Sequence, residues 1–255
     1  MLKAIRSRLL QGYRTGKFPD APPNLPERFC GLLSLDPSKC AADCRVCCDE
    51  CPTDALKKDS AGKIAVDLGR CIFCGDCVGN CRSGALTATR EYRMAAFSAE
   101  ELKLEPAAEF TPRVVRNAVV PKLCGKSLKI RQVSCGGCNA CELDFNVLNT
   151  LAWDMGRFGI QAVASPRHAD VLLVTGPVTA NMLIALKKSY AAMPEPRFVI
   201  ACGACAASGG IYRDGAETNG GLDGVLPVDM YVPGCPPHPA VLLDALLRFM
   251  GRRRS

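Results

Sequence analysis

Apolar and polar positions follow different rhythms in the two halves of the chain. In the second half, short unbroken apolar runs, Val171-Leu-Leu-Val174 and Phe198-Val-Ile-Ala201, each lead into a glycine. Such runs predict buried parallel strands, and Val228 to Val232 predicts a third. Helical spacing fills the intervals. Glu142 to Met155 places Leu143, Val147, Leu148 and Leu151 on one face, Asn181 to Ala192 forms a second helix, and Pro239 to Met250 closes the chain before a basic tail. Alternating strands and helices predict an open α/β sheet of flavodoxin-like type, whose ligands gather at the carboxyl ends of the strands. Gly176, Cys205 and Cys235 all fall just past such ends.

The first half has little periodicity. Met1 to Lys17 predicts a basic amphipathic helix, with Leu2, Ile5, Leu9 and Leu10 near one face and Lys3, Arg6, Arg8 and Arg14 elsewhere. Such a helix suits a membrane surface or a partner, as well as its own domain. Phe18 to Glu27 carries four prolines and predicts an extended arm rather than a packed element. Ser98-Ala-Glu-Glu101 has capping-box spacing, and Pro106 to Pro121 predicts a linker.

What organises the first half is cysteine. The chain of 255 residues contains seventeen. No apolar run approaches the length of a bilayer span, and the N-terminus shows no secretory signal pattern, which predicts a cytoplasmic location. Thiols stay reduced there, so this many cysteines point to metal ligation rather than disulfides. The net charge of +7 gathers at the chain ends and has no aromatic interleaving, which argues against nucleic-acid binding.

Cys71-x2-Cys74-x2-Cys77-x3-Cys81 is a bacterial ferredoxin run, and Cys40-x3-Cys44-x2-Cys47-x3-Cys51-Pro52 is a second with one extra residue in its first gap. In two-cluster ferredoxins the fourth cysteine of each run serves the other cluster. That crossing groups Cys40, Cys44, Cys47 and Cys81 as one [4Fe-4S] set, and Cys51, Cys71, Cys74 and Cys77 as another. Asp54-Ala-Leu56 mirrors Gly84-Ala-Leu86, as a pseudo-two-fold repeat requires. Zinc sites close with two cysteine pairs, so two successive four-cysteine runs point to clusters instead. In the second half, Cys138 and Cys141 form a C-x2-C pair, and Cys205 and Cys235 sit in glycine- and proline-bounded loops that can aim a sulfur inward. Together they offer a third four-thiolate set. Cys135 and Cys138 form a rival pair; resemblance to a known cluster-bearing family, in which an acidic residue follows the second cysteine, favours Cys138 and Cys141. Cys30, Cys48, Cys124, Cys135 and Cys202 remain as small buried hydrophobes.

Cys138-Asn-Ala-Cys141-Glu, Ala164 to Gly176, Gly203-Ala-Cys205 and Val232-Pro-Gly-Cys-Pro-Pro237, in that order, resemble the cluster-bearing small subunit shared by complex I and membrane-bound [NiFe] hydrogenases. This covers roughly Lys126 to Phe249. The C-x2-C pair is similar to the hydrogenase branch, such as formate hydrogenlyase, since complex I usually has two adjacent cysteines there. Met1 to Leu104 resembles the two-cluster ferredoxin-like subunit of the same complexes. The chain thus looks like a fusion: an arm (1–29), an α+β ferredoxin-like domain (30–95), a linker (96–125) and the α/β domain (126–255).

The resemblance implies three [4Fe-4S] clusters and an electron-transfer role on the cytoplasmic side of a membrane. The implied partners are a hydrogenase large subunit of the complex I 49 kDa type and further iron–sulfur and membrane subunits. The third cluster would then be proximal to the partner's [NiFe] centre. No Ser-His-Asp order or phosphate-cradling loop stands out, so bond-making chemistry is expected on the partner. A quinone-reducing complex I-like subunit and a free polyferredoxin carrier are the alternatives. Arg167 and His168 are candidates to tune the third cluster. Glu142, directly after a ligand, is a candidate proton shuttle or a helix N-terminal acid.

Overall fold

The computed structural model describes residues 2–12, 15–41, 43–58, 62–104, 110–113 and 119–253. Met1, Arg14, much of the expected linker (105–109 and 114–118) and the end of the basic tail lie outside them.

The first half is built from short antiparallel pairs. β1 (Leu33–Leu35) pairs with β4 (Leu86–Ala88), and β2 (Leu56–Lys58) pairs with β3 (Ile64–Asp67), which also pairs with β5 (Lys103–Leu104). Two single-turn helices, α2 (Val46–Asp49) and α3 (Asp76–Gly79), lie within the two cysteine runs. The repeat seen in sequence persists in the backbone. Asp54 and Gly84 both take positive φ, +50° and +64°, and β2 and β4 begin two residues later. Leu33, Leu56, Ile64, Val66, Leu68, Leu86 and Leu102 form the small core beneath.

The second half is a five-stranded parallel sheet. Its strands are β6 (Leu128–Ser134), β7 (Ile160–Ala162), β8 (Val171–Thr175), β9 (Phe198–Cys202) and β10 (Met230–Val232). They lie in the order β10-β9-β8-β6-β7. Counted from β6 this is 2-1-3-4-5, the flavodoxin-type order, with its switch point between β6 and β8. β8 and β9 are buried along their whole length, as strands covered on both faces are. α5 (Ala140–Val147), α6 (Ala180–Ala191), α7 (Ala204–Ser208) and α8 (Pro239–Phe249) connect or close the strands. α4 (Val119–Cys124) leads into β6 and buries Val120 and Cys124.

Several expectations need correcting. β6 and β7 have no clean apolar signature, because β6 alternates and β7 has one buried residue. The helix expected at Glu142 to Met155 begins two residues earlier and ends at Val147. Its expected apolar face is buried only in part: Leu148 packs inward together with Phe145, whereas Leu143 and Leu151 are 57% and 74% exposed. The proline-rich arm is packed, not free. Phe18 and Leu25 join Tyr92, Met94 and Phe97 in the same buried cluster as α8, every residue of which is buried. Arg157 fixes the arm by donating to Gly16 O (2.8 Å) and Phe18 O (2.5 Å). The stretch expected as a linker also carries structure: Ala96 bridges Tyr231 and extends the sheet past β10, and Leu102 is buried beside β5.

α1 (Leu2–Gln11) buries none of its residues, and its Leu2 is 83% exposed. Among the described residues no helix is long and apolar enough to cross a membrane.

Candidate metal centres

Three hollows are lined by cysteines drawn from distant parts of the chain. Cys40, Cys44, Cys47 and Cys81 line the first, of about 600 Å³, with Leu35, Ile64 and Leu86. Cys51, Cys71, Cys74 and Cys77 line the second, joined by Cys30. Cys138, Cys141, Cys205 and Cys235 line the third, with Gly137, Gly176 and Glu142. Each four-cysteine set expected from the spacing is therefore brought to one place. Cys81 crosses to the first run and Cys51 to the second because each follows its one-turn helix and enters a strand of the opposite pair.

Main-chain donors point at these sulfurs. Ala55 N donates to Cys51 Sγ (3.3 Å), Leu86 N to Cys81 Sγ (3.4 Å) and Phe73 N to Cys71 Sγ (3.4 Å). For Cys81, burial works against the thiolate, but the Leu86 N–H and the Ser83 hydroxyl outweigh it and its pKa falls. Elsewhere burial wins: it pushes the Cys47, Cys71 and Cys205 thiols up to about 12, and Cys77 to about 11. Ligation must displace these protons, so metal loading would release them.

The extra residue between Cys40 and Cys44 is accommodated by Lys58, a residue the sequence did not single out. Its Nζ donates to Ala41 O (2.9 Å) and Cys44 O (2.8 Å) and stands 4.0 Å from Cys40 Sγ. The lengthened loop is thereby tied to β2, and a cation faces the first hollow.

The third hollow lies at the carboxyl ends of β6, β8, β9 and β10, beside the switch point. Glycines make it possible. Gly203 has φ +90°, and a Cβ there would lie 2.7 Å from Cys141 Sγ; one on Gly176 would lie 2.6 Å from Gly137 N. Cys202, at the end of β9, is fully buried and donates its S–H to Cys141, whose pKa falls while that of Cys202 rises. Glu142 is buried in the first turn of α5 and accepts a hydrogen bond from Thr175 Oγ1 (2.6 Å) at the end of β8.

Cys135 belongs to the core on the other side of β6, packed with Val133, Val174 and Val178, and does not line the hollow. Burial and then the charge of Glu142 push its thiol up to about 12. Cys124 lies in the main core and Cys48 beside Cys47 in the small one. Arg167 and His168 must be corrected. They sit exposed in a short turn before β8, at its amino end, whereas the hollow lies past its carboxyl end, about 16 Å of strand away. Sequence nearness to a strand gave no information about which end of it the sulfurs occupy.

The donor sets fit the cluster they imply: four sulfurs each, main-chain N–H groups directed at sulfur in the first two hollows, and a glycine cradle in the third that any Cβ would fill. A single zinc ion needs sulfurs at about 2.3 Å. Among the described residues no group of three or more His, Cys, Asp or Glu side chains is placed to hold a metal ion.

The first-half unit docks on the sheet through the second hollow's own loops. Ser208 Oγ, at the end of α7, donates to Gly69 O (2.9 Å), and Arg213 pairs with Asp54 (2.8 Å). Phe73, between Cys71 and Cys74, packs against both cores. The second hollow thus lies on the side of Cys205 and Cys235.

A family described as NADH ubiquinone oxidoreductase, 20 kDa subunit, matches residues 138–249, the part that contains the third hollow. Over 132 residues the chain is 43% identical to a probable membrane-bound hydrogenase subunit of Pyrococcus furiosus, covering 52% of this chain and 79% of that one. It is 44% identical over 126 residues to formate hydrogenlyase subunit 7 of Escherichia coli, covering 49% of each. It is 46% identical over 113 residues to an NADH-quinone oxidoreductase subunit of Saccharopolyspora erythraea, covering 44% of this chain and 51% of that one. With these cysteines at the carboxyl edge of a flavodoxin-type sheet, the chain belongs to the family of the NADH ubiquinone oxidoreductase 20 kDa subunit.

Proposed function

We propose that this chain is the electron-transfer subunit of a membrane-associated [NiFe] hydrogenase of the formate hydrogenlyase type, carrying three [4Fe-4S] clusters. A [4Fe-4S] cluster, when bound, takes up and gives back one electron with little rearrangement. The observation that carries the reading is the convergence of the twelve expected ligands, four at each of three hollows, with Cys30 beside the second and the third at the sheet's ligand-binding edge. Cys40, Cys44, Cys47 and Cys81 hold the first cluster, Cys51, Cys71, Cys74 and Cys77 the second, and Cys138, Cys141, Cys205 and Cys235 the third. The chain's own residues set each site's electrostatics: Lys58 adds positive charge at the first, main-chain N–H groups stabilise sulfur at the first and second, and Glu142 adds an acid at the third.

The docking of Gly69 and Asp54 on α7 and Arg213 supports an order of first, second, third, which ends next to a large catalytic partner. The first half acts as a ferredoxin-like domain joined to the small-subunit domain. The complex sits on the cytoplasmic face of the membrane with other iron–sulfur and membrane subunits, and α1 lies at its margin.

The C-x2-C pair of Cys138 and Cys141 favours the hydrogenase reading over a quinone-reducing one. The test is anaerobic purification of the chain with its partners, followed by metal and sulfide analysis. The expected result is about twelve iron per chain, at four per cluster, and nickel in a co-purifying large subunit. A large subunit without nickel refutes the hydrogenase assignment in favour of the complex I-like one, and zinc in place of iron and sulfide refutes the clusters.

A further inference from the structure

Cys30 stands outside all three ligand sets, yet it lines the second hollow beside Cys51, Cys71, Cys74 and Cys77. Five sulfurs therefore face a space whose proposed occupant takes four. Cys30 lies within electrostatic range of Cys71, Cys74 and Cys77.

Its position is fixed from both sides. Gly31 N donates to Thr89 O (3.0 Å) and Leu32 N to Glu91 O (3.0 Å). The chain runs so close there that a Cβ on Gly31 would lie 2.4 Å from Glu91 O. On the other side the Phe29 ring meets His238 edge-on, with centroids 5.3 Å apart, in the loop that follows Cys235. Cys30 is thus pinned between two anchored neighbours, and it is half-buried at the hollow's wall. Cys74 is the contrast: it is exposed, on the loop between β3 and α3. Among the four expected ligands of this hollow it is the one with least cover.

We infer that Cys30 is a reserve ligand of the second cluster site, able to take the position of Cys74; this rests on the three-cluster reading. The exchange is a ligand substitution. The iron–sulfur bond to Cys74 breaks and that thiolate takes up a proton, while a bond to Cys30 Sγ forms and the Cys30 thiol proton goes to solvent. No electron moves and the net charge of the site is unchanged. Where residue 74 has no sulfur, the thiolate of Cys30 fills the open position and one proton is released.

The test compares the full chain, purified anaerobically with its partners, as wild type, C30A, C74A and C30A/C74A. Iron per chain, EPR of the reduced protein and mass-spectrometric labelling of residue 30 by iodoacetamide are measured. Wild type and C30A should carry the full complement, and Cys30 should label in wild type. C74A should keep its iron and its second-site signal, shifted in shape, and its Cys30 should become protected from labelling. The double variant should lose about four iron per chain, or convert that site to a three-iron signal. If C74A does not accumulate, C74V, whose side chain likewise offers no ligating atom, gives the same read-out. A C74A protein as iron-poor as the double variant overturns the role of Cys30, and so does a full cluster with Cys30 still labelled. A wild-type value near eight iron refutes the three-cluster reading itself, and the role of Cys30 with it.

Discussion

Replacing Gly203 by alanine strains the third hollow at its tightest point. Gly203 sits between β9 and α7 with φ +90° and ψ 160°, a conformation that L side chains scarcely adopt. Holding alanine there costs about 1–3 kcal/mol. The backbone has little freedom to relax, because Gly203 N donates to Val232 O (2.8 Å) and Ala204 N to Gly234 O (2.8 Å). The new methyl would lie 2.7 Å from Cys141 Sγ. Ordinary contact is about 3.5–4.0 Å, so the sulfur must retreat by roughly 1 Å, twice the ~0.5 Å that a preorganised site tolerates.

The backbone penalty alone should lower the melting temperature by about 2–12 °C, taking ~2–4 °C per kcal/mol for a chain of this size. The displaced sulfur should remove about four of the twelve iron atoms and leave the other two sites untouched. Gly224→Ala separates the two effects. Gly224 also has positive φ, +69°, but a Cβ there meets nothing within 4 Å. That variant should show a small thermal shift and full iron. Differential scanning calorimetry with iron analysis and EPR on both proteins is the assay. A G203A protein that melts lower but keeps full iron and an unchanged third-site signal would refute the argument that this glycine exists to make room for the sulfur.

Asp244 is fully buried on α8, accepts from Arg248 Nε at 2.8 Å and pairs with Arg253, while Arg248 is itself only 1% exposed. Asp244→Ala strands a buried guanidinium and should cost about 3–5 kcal/mol in urea unfolding, whereas D244L/R248M should come close to wild type; an equally large loss in the double variant would contradict this. Cys135→Ser should leave the third-site EPR signal intact and Cys138→Ser should abolish or convert it, and the reverse result would move the ligand pair to Cys135 and Cys138. His238 caps α8 by accepting from Ala240 N (3.2 Å), and burial lowers its pKa. Because its folded pKa lies below the unfolded 6.5, its contribution is complete above pH ~6.5 and fades as pH falls toward the folded value. Melting temperature measured between pH 7 and 5.5 should therefore drop, with a shallower slope in H238Q; equal slopes would count against it.

The cysteine groupings are legible in the sequence, because ligand spacing is local chemistry: a C-x2-C turn and a four-cysteine run work only over a few residues. The parallel strands β8 and β9 were equally plain, since strands buried on both faces must be continuously apolar. β6 and β7 were not, because an alternating strand and one with a single buried residue resemble loops until their neighbours are known. The Leu143 and Leu151 error has the same origin. Helical periodicity reports that a face is apolar, not that this chain covers it, and both side chains stay exposed here.

What the sequence determined by itself is the donor inventory and the order of the elements that present it. What only the tertiary structure decided is which end of a strand a residue occupies and what stands beside each sulfur. Arg167 and His168 look near the third site in sequence but lie at the far end of β8. Lys58, Cys202 and Cys30 carry no motif, and they come to the sulfurs from elements up to sixty-one residues away, as Cys202 does to Cys141. The physical reason is that coordination spacing is fixed along the chain, whereas burial, hydrogen bonding to sulfur and crowding are set by whatever the fold packs against it.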